Sequence, residues 1–426
     1  MDLTSHLISQ RFNFKIITMK TRKIKKAFKF RLSLTRPQQR TLRCWGGCTR
    51  KIFNWALSER ELAYKTEGKS LNYYDQAKEL TKLKKAEGLS YLKEVPSQAL
   101  QVSLKNLEDG YKRFFKGLGN KPRFKKKGRS SDTISFPQGE LIEIQEHSSK
   151  KSKIKLPKLG WVKFIHHRKF DGKIRQATIS AEGGNFNISI LVETEIENLY
   201  PSRGPVGLDL GVTRSITPSE GKYSNLPVSK IKELESRIKS LQKRRSGREK
   251  SSPGWLRLLR SERKLQRKIT NIRKDFLHKQ SFRFASKYEI VCIEDLDVSK
   301  MTQSARGTLE APGLNVQMQA NFNRASLRQG WYTFRTMLEY KCDWFGSRLV
   351  LVDPAWTSQK CSGCGFTHKT NRKNQADFSC FVCDLEINAD LNAAINIRRL
   401  GLESLVASGD LPRSYLDAPT IAAGAA

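Results

Sequence analysis

Apolar residues recur at period two through Ile24, Phe28, Phe30, Leu32 and Leu34, which predicts a strand over 24–34. Thr35-Arg-Pro-Gln38 follows as a capping box with proline in the first turn, opening a helix to about Tyr64 that carries Phe53, Trp55 and Leu57. Two further helical stretches are predicted around 73–86 and 97–116. The run GNKPRFKKKGRSS (119–131) breaks that texture with Gly, Pro and dense cations. From 133 to about 195 short β-branched runs (TISFP, WVKFI, IRQATIS, NFNISILVE) alternate with turns such as Asp171-Gly172 and Gly183-Gly184. They predict a small antiparallel β-barrel or sheet. If the first strand joins it, the helices of 36–118 are an insertion into a β domain.

A second texture begins after Pro205. VGLDLGV (206–212) is an apolar strand carrying one acid, and EIVCIEDLDV (289–298) is another that ends in acids. Between them, 228–245 and 255–285 read as a basic helical hairpin with Ile231, Leu234, Ile238 and Leu241 at helical spacing. Residues 326–346 predict one amphipathic helix capped by Ser326, and RLVLVDP (348–354) a third strand. The tail beyond about 405 has few core signals and is expected to be poorly ordered. At the other end, Arg11 and Lys15 interrupt the only apolar stretch, so no signal peptide is predicted. Residues 1–19 read as an extension, with Met19 an alternative start.

Charge changes this picture most. The 426 residues hold 79 Lys+Arg against 41 Asp+Glu, a net +38, with 38% hydrophobic residues. The hydrophobic content excludes wholesale disorder. The charge points to a polyanion, because each neutralised phosphate releases condensed counterions. No amphipathic or transmembrane segment supports a membrane partner. Four of the eight cysteines fall in CxxC pairs and Cys292 lies inside a strand, the pattern of a reduced, cytoplasmic protein.

Three features carry chemistry. Cys361-Ser-Gly-Cys364 and Cys380-Phe-Val-Cys383, with fifteen residues between them, have the spacing of a structural Zn²⁺ ribbon. Two disulfides are the alternative. His368 lies in the loop but is read as surface, since four sulfurs close the coordination shell. The second feature is acidic. Asp209 and Glu294 sit in apolar strands where an unpaired charge is costly, and Asp390 opens an Ala/Ile/Leu helix, where it is either a cap or part of a cluster. Structural ion pairs compete with Mg²⁺ coordination, and Asp295 and Asp297 compete with Glu294. Two Mg²⁺ ions about 4 Å apart on such acids would serve phosphodiester cleavage. The third feature is basic and aromatic: Lys121, Arg123, Lys125, Lys126, Lys127 and Arg129, then His166-His-Arg168, and the hairpin. These grip phosphates without reading sequence. Phe124 and Trp161 are candidates for base stacking or for core packing alike.

GLDLGV (207–212), CIEDLDVSKM (292–301), DPAWTSQKCSGCG (353–365) and INADLNAAINI (387–397) occur in an order that resembles the TnpB family, RNA-guided endonucleases of insertion sequences related to type V CRISPR effectors. PSQALQ (96–101), PRFKKKGR (122–129) and LPKLGWVKF (156–164) are similar to further TnpB blocks, so the resemblance covers roughly 20–405. It implies a multidomain α+β protein. A RuvC nuclease domain of RNase H-like fold (203–356 and 384–405) would use Asp209, Glu294 and Asp390, with Mg²⁺ or substituting Mn²⁺. A Cys₄ zinc ribbon (357–383) would be inserted in it. A wedge-like β-barrel (20–35 and 119–202) would carry a helical recognition insertion (36–118), and 406–426 would be a flexible tail. It implies a guide RNA from the transposon end and double-stranded DNA cut beside a short adjacent motif, with one protein per RNA in the prokaryotic cytoplasm at the nucleoid. The family's Asp-Arg-Asp-type sequence is here Asn388-Ala-Asp390, which keeps only the final acid. The competing functions are an RNA-guided repressor without nuclease activity and a strand-transfer transposase.

Overall fold

The computed structural model describes residues 21–128, 132–148, 151–182, 185–196, 201–308 and 310–416. The first nineteen residues, Arg129, Gly183-Gly184 and the last ten residues of the tail therefore lie outside the described residues. The chain divides into two compact units, Thr21–Ile196 and the described residues after Glu197.

In the front unit, β1 (Arg22–Ser33) buries Ile24, Phe30 and Leu32 on one face while Lys and Arg alternate outward. Thr35 then starts α1 (Arg36–Glu67): its hydroxyl accepts from the Gln38 amide and the Gln38 side chain returns to the Thr35 amide. The helix stops at Gly68, whose φ of +64° suits glycine. Helices α2 (Tyr73–Leu83) and α3 (Ser97–Phe115) follow. The strands after them are β2 (Thr133–Phe136), β3 (Glu143–Ser148), β4 (Lys151–Leu156), β5 (Gly160–Ile165), β6 (Lys173–Glu182) and β7 (Asn185–Ile196). With β1 they form one seven-stranded antiparallel sheet in the order β2-β6-β7-β1-β5-β4-β3. β1 thus lies inside the sheet, and α1–α3 fill the connection between two of its strands. The expected barrel is not closed by a β2–β3 pairing among the described residues. The β2 side is occupied by α1 instead, where Thr49 Oγ1 donates to the Thr133 carbonyl at 3.4 Å and Arg50 pairs with Asp132.

The second unit begins with β8 (Val206–Asp209) and β9 (Thr217–Pro218), then the hairpin α4 (Val228–Ser246) and α5 (Pro253–Lys287). Next come β10 (Ile290–Glu294), α6 (Val298–Met301), α7 (Val316–Gln329), α8 (Trp331–Phe345) and β11 (Arg348–Val352). A small ribbon of β12 (Asp377–Ser379) and β13 (Glu386–Asn388) leads into α9 (Ala389–Ala407). The sheet order is β11-β10-β8-β9, with β11, β10 and β8 parallel and β9 antiparallel. Its strands read as continuous apolar runs because both faces are covered. Val206, Leu208, Val291 and Ile293 pack against Phe284 of α5 and Phe334 and Leu338 of α8. On the opposite face Cys292, Val350 and Val352 pack against Ile397, Leu402 and Leu405 of α9. Two glycines let α9 lie this close. A Cβ on Gly207 would stand 2.1 Å from the Ala394 carbonyl oxygen, and one on Gly401 would stand 2.3 Å from Cys292 Sγ.

Two expectations are corrected here. The segment 326–346 is not one helix: Gly330, with φ +75°, ends α7 and begins α8, and Ser326 is buried inside α7 rather than capping anything. The described part of the tail, residues 406–416, packs onto the fold. Leu405 is buried, Leu411 and Tyr415 pack against the α9 core, and Arg348 holds Asp410 at 2.6 Å.

Gly207→Ala is expected to lower stability by about 1–3 kcal/mol, the usual cost of forcing a methyl into a filled contact. Gly119→Ala, whose Cβ would meet nothing within 4 Å, is the control. Thermal denaturation of the two variants against the parent protein measures the difference.

Candidate active site and metal centres

Asp209 and Glu294 are the last residues of β8 and β10, neighbouring parallel strands in which Leu208 stands opposite Ile293. Side by side at the carboxyl ends of an open sheet, they occupy the position where α/β folds build their sites. Asp390 comes from the first turn of α9, which crosses the same sheet at β8. Arg214 Nε and Arg372 approach Asp390 at 3.9 and 3.8 Å.

The electrostatics of this corner are unfavourable to three free carboxylates. Burial, then the charges of Glu294 and Asp390, push Asp209 up to about 8 from 3.8. Burial also raises Glu294, against a hydrogen bond from Thr357 Oγ1 to Glu294 Oε1 at 2.6 Å. Asp390 is raised by burial and held back by the two guanidinium groups. The group is looser than the thiol cluster described below: the carboxylate oxygens do not all lie within 4.8 Å of one another. An all-oxygen set whose members repel one another fits hard divalent cations such as Mg²⁺.

Asp295 and Asp297 do not join them. Asp295 pairs with Arg335, and Asp297 caps α6 by accepting from the Lys300 amide at 3.0 Å, which lowers its pKa. Asp390 is not the cap of α9 either. That role belongs to Asn388, which accepts from the Leu391 amide at 3.3 Å and donates to the Ala376 carbonyl at 2.8 Å.

Cys361, Cys364, Cys380 and Cys383 bring their sulfurs within 4.8 Å of one another. The Sγ pairs 361–383 and 364–380 are 3.6 Å apart. That is far beyond a bonded S–S distance of about 2.05 Å. It is close to the edge of about 3.8 Å expected for a sulfur tetrahedron with 2.3 Å Zn–S bonds. The donors therefore fit zinc and not two disulfides. His368 is exposed and hydrogen-bonded to Thr370, outside the cluster.

The basic segments divide. Lys121 pairs with Glu61 at 2.9 Å. Lys125 turns inward: its Nζ lies 3.9 Å from the centre of the Phe53 ring, Asn54 ties its backbone from both sides, and burial lowers its pKa. Its packing sets it apart from the exposed cations of this run. His166 is likewise buried, bonded through Nδ1 to Ser152 Oγ at 2.9 Å. Arg123, Lys126, Lys127 and Arg168 are exposed, as are Phe124 and Trp161. Between α4 and α5 runs a groove of about 780 Å³ lined by Arg237, Arg244, Lys264, Arg267 and Lys268, with no carboxylate in its lining.

Sequence reasoning missed Arg214, Arg372 and Thr357, which all meet the acids. Arg214 lies five residues beyond Asp209, a spacing that carries no periodic signal. Arg372 lies in the ribbon loop, where a cation reads as surface. Thr357 sits in the DPAWTSQK block, whose role could not be read without the fold.

Comparison with known proteins gives the family and the fold. Residues 331–397 match the family described as "Cas12f1-like, TNB domain", 188–305 match "Probable transposase" (OrfB of IS605), and 19–69 match "Helix-turn-helix domain" (OrfB of IS605). In solved structures, the protein of a Cas12f1–sgRNA–target DNA complex shares this fold: TM-score 0.50 and 13% identity, covering 88% of this chain and 99% of that one. The chain is 39% identical to "Putative RNA-guided DNA endonuclease InsQ" of Escherichia coli K12, over 91% of its length and 95% of the relative's. It is 28% identical to "Putative RNA-guided DNA endonuclease" of Streptomyces pristinaespiralis, over 89% and 90%. The fold is thus that of the compact Cas12f-type proteins. Within that class, the chain belongs to the TnpB family of insertion sequences.

Two outcomes follow from the geometry. Asp209 keeps in the folded state a proton that the unfolded chain releases. This contribution to stability is complete below its ordinary value of 3.8 and is lost as pH rises through about 8. The melting temperature of metal-free protein should therefore fall between about pH 5 and 8, and Asp209→Asn should flatten the fall. Metal analysis should find about one zinc per chain, reduced by Cys361→Ser and unchanged by Cys44→Ser.

Proposed function

We propose that this chain is an RNA-guided DNA endonuclease of an insertion sequence, with Asp209, Glu294 and Asp390 as the acids of an RNase H-like (RuvC) site. The observation that carries the reading is the meeting of three carboxylates at the ends of β8 and β10 and the start of α9, where burial pushes all three toward the protonated form. Relatives named as RNA-guided DNA endonucleases support the reaction class. The acids would hold one or two Mg²⁺, with Mn²⁺ as substitute. Bound there, such ions lower the pKa of water and offset charge on a phosphodiester. The chain's own part is to hold the carboxylates in place; a bound cation would offset their burial and ionise them. Thr357 donates to Glu294, and Arg214 and Arg372 hold Asp390 while offering guanidinium groups to a phosphate. The four thiolates would hold one structural zinc, making 357–383 the inserted ribbon, and the front unit would act as the wedge with its helical insertion.

The partners are a guide RNA from the transposon end and a double-stranded DNA target beside a short adjacent motif, one chain serving one RNA. Arg123, Lys126, Lys127, Arg168 and the α4–α5 groove are the candidate phosphate contacts. No described helix is long and apolar enough to cross a membrane, and the working location is the cytoplasm at the nucleoid.

The test is to sequence the RNA that copurifies with the protein and to challenge a plasmid library carrying the matching target. Cleavage is expected in Mg²⁺. Asp209→Ala and Glu294→Ala should each abolish cutting and leave RNA and target binding intact. Stable binding with no nicks from the parent protein would establish the repressor reading instead, and strand joining would establish a transposase.

A further inference from the structure

A run of buried polar contacts joins the thiol knuckle to the carboxylates. Thr357, 3% exposed, lies where the chain enters the ribbon. Its hydroxyl proton has two acceptors in reach, the Pro354 carbonyl at 3.1 Å and Glu294 Oε1 at 2.6 Å. The shorter acceptor, the carboxylate, takes it. Asn392 and Asn396 lie one turn apart on α9 and are fully buried. Asn396 Nδ2 donates to the Thr357 carbonyl at 2.9 Å and to the Lys360 carbonyl at 2.7 Å. Asn392 Nδ2 donates to the same Lys360 carbonyl at 2.8 Å, while its Oδ1 accepts from the Ser362 amide at 2.9 Å.

Those backbone groups flank Cys361, the first thiol. The helix that grips them also carries Asp390 in its first turn, and the threonine that Asn396 holds also holds Glu294. Amides buried this completely are costly where packing alone is needed, and an Ala- and Ile-rich helix has apolar residues to offer. Their value lies in fixing one geometry.

We propose that Thr357 is a positioning residue for Glu294, and that Asn392 and Asn396 lock the thiol knuckle to the carboxylate corner, so that the ribbon sets the spacing of the acids. The ribbon is then part of the active site's scaffold as well as an arm. This rests on reading the acids as a divalent-metal site.

The experiment uses the full chain with its copurified RNA, titrated with Mn²⁺ and followed by electron paramagnetic resonance. Thr357→Val, which keeps the shape and removes the hydroxyl, should weaken Mn²⁺ binding about tenfold or more, the usual effect of losing a group that orients a metal ligand. Thr357→Ser should restore it. Asn396→Leu should weaken it likewise. Zinc content and target binding should stay at parental values, and cleavage by Thr357→Val should recover at saturating Mn²⁺. Should Thr357→Val lose zinc or unfold, Thr357→Ala is titrated in its place.

Parental Mn²⁺ affinity in the folded Thr357 variant lacking the hydroxyl would overturn the positioning role. Parental affinity in Asn396→Leu would overturn the lock. Glu294→Gln separates the two readings. If it leaves Mn²⁺ binding unchanged, the metal site itself fails and this inference with it. If it abolishes binding while Thr357→Val does not weaken it, this inference fails alone.

Discussion

Three carboxylates share one partly buried corner, and their mutual repulsion is the constraint that the second unit has to answer. Asp209 bears most of it, with desolvation and two like charges acting together. A protein selected for stability alone would bury apolar residues there. Here the strands deliver the acids from a rigid parallel sheet, while Arg214, Arg372 and Thr357 steady Asp390 and Glu294 from outside it. Such an all-oxygen set fits hard cations, whose charge would offset the repulsion.

Close approach makes the corner possible. α9 reaches the sheet only because Gly207 and Gly401 leave no side chain where its backbone and Cys292 must pass. Once α9 is down, Asp390 arrives beside strands that lie far earlier in the chain. The ribbon then becomes a detour between β11 and α9. Its arm folds back so that Arg372 meets the very helix that follows it.

Much of this was legible in the residues. Period-two alternation, the Thr35 capping box and the apolar strands ending in acids are local signals, and local chemistry decides those elements. The cysteine spacing is legible for the same reason, since two CxxC turns make two knuckles whatever surrounds them. What escaped the reading depends on tertiary company. Gly330 lies in a helical pattern that continues on both sides, so only its positive φ separates α7 from α8. Lys125 stands in a run of cations that reads as surface until Phe53 and Asn54 are seen beneath it. Residues 405–416 look weakly apolar, yet Leu405, Leu411 and Tyr415 find a ready-made partner in the α9 core. Asn388 looked like a lost acid and is the cap that starts α9.

The order of the chain has a consequence for synthesis. β8 and β10 leave the ribosome with Asp209 and Glu294 at their ends, but one face of their sheet stays bare until α9, Ala389–Ala407, has emerged. Cys292, Val350 and Val352 have nothing to pack on before then, and the third carboxylate does not yet exist. A copy of the gene interrupted between β11 and that helix therefore encodes a basic protein with an uncovered sheet face and an incomplete acid set. Translation itself keeps the acid corner unassembled until α9 has been made.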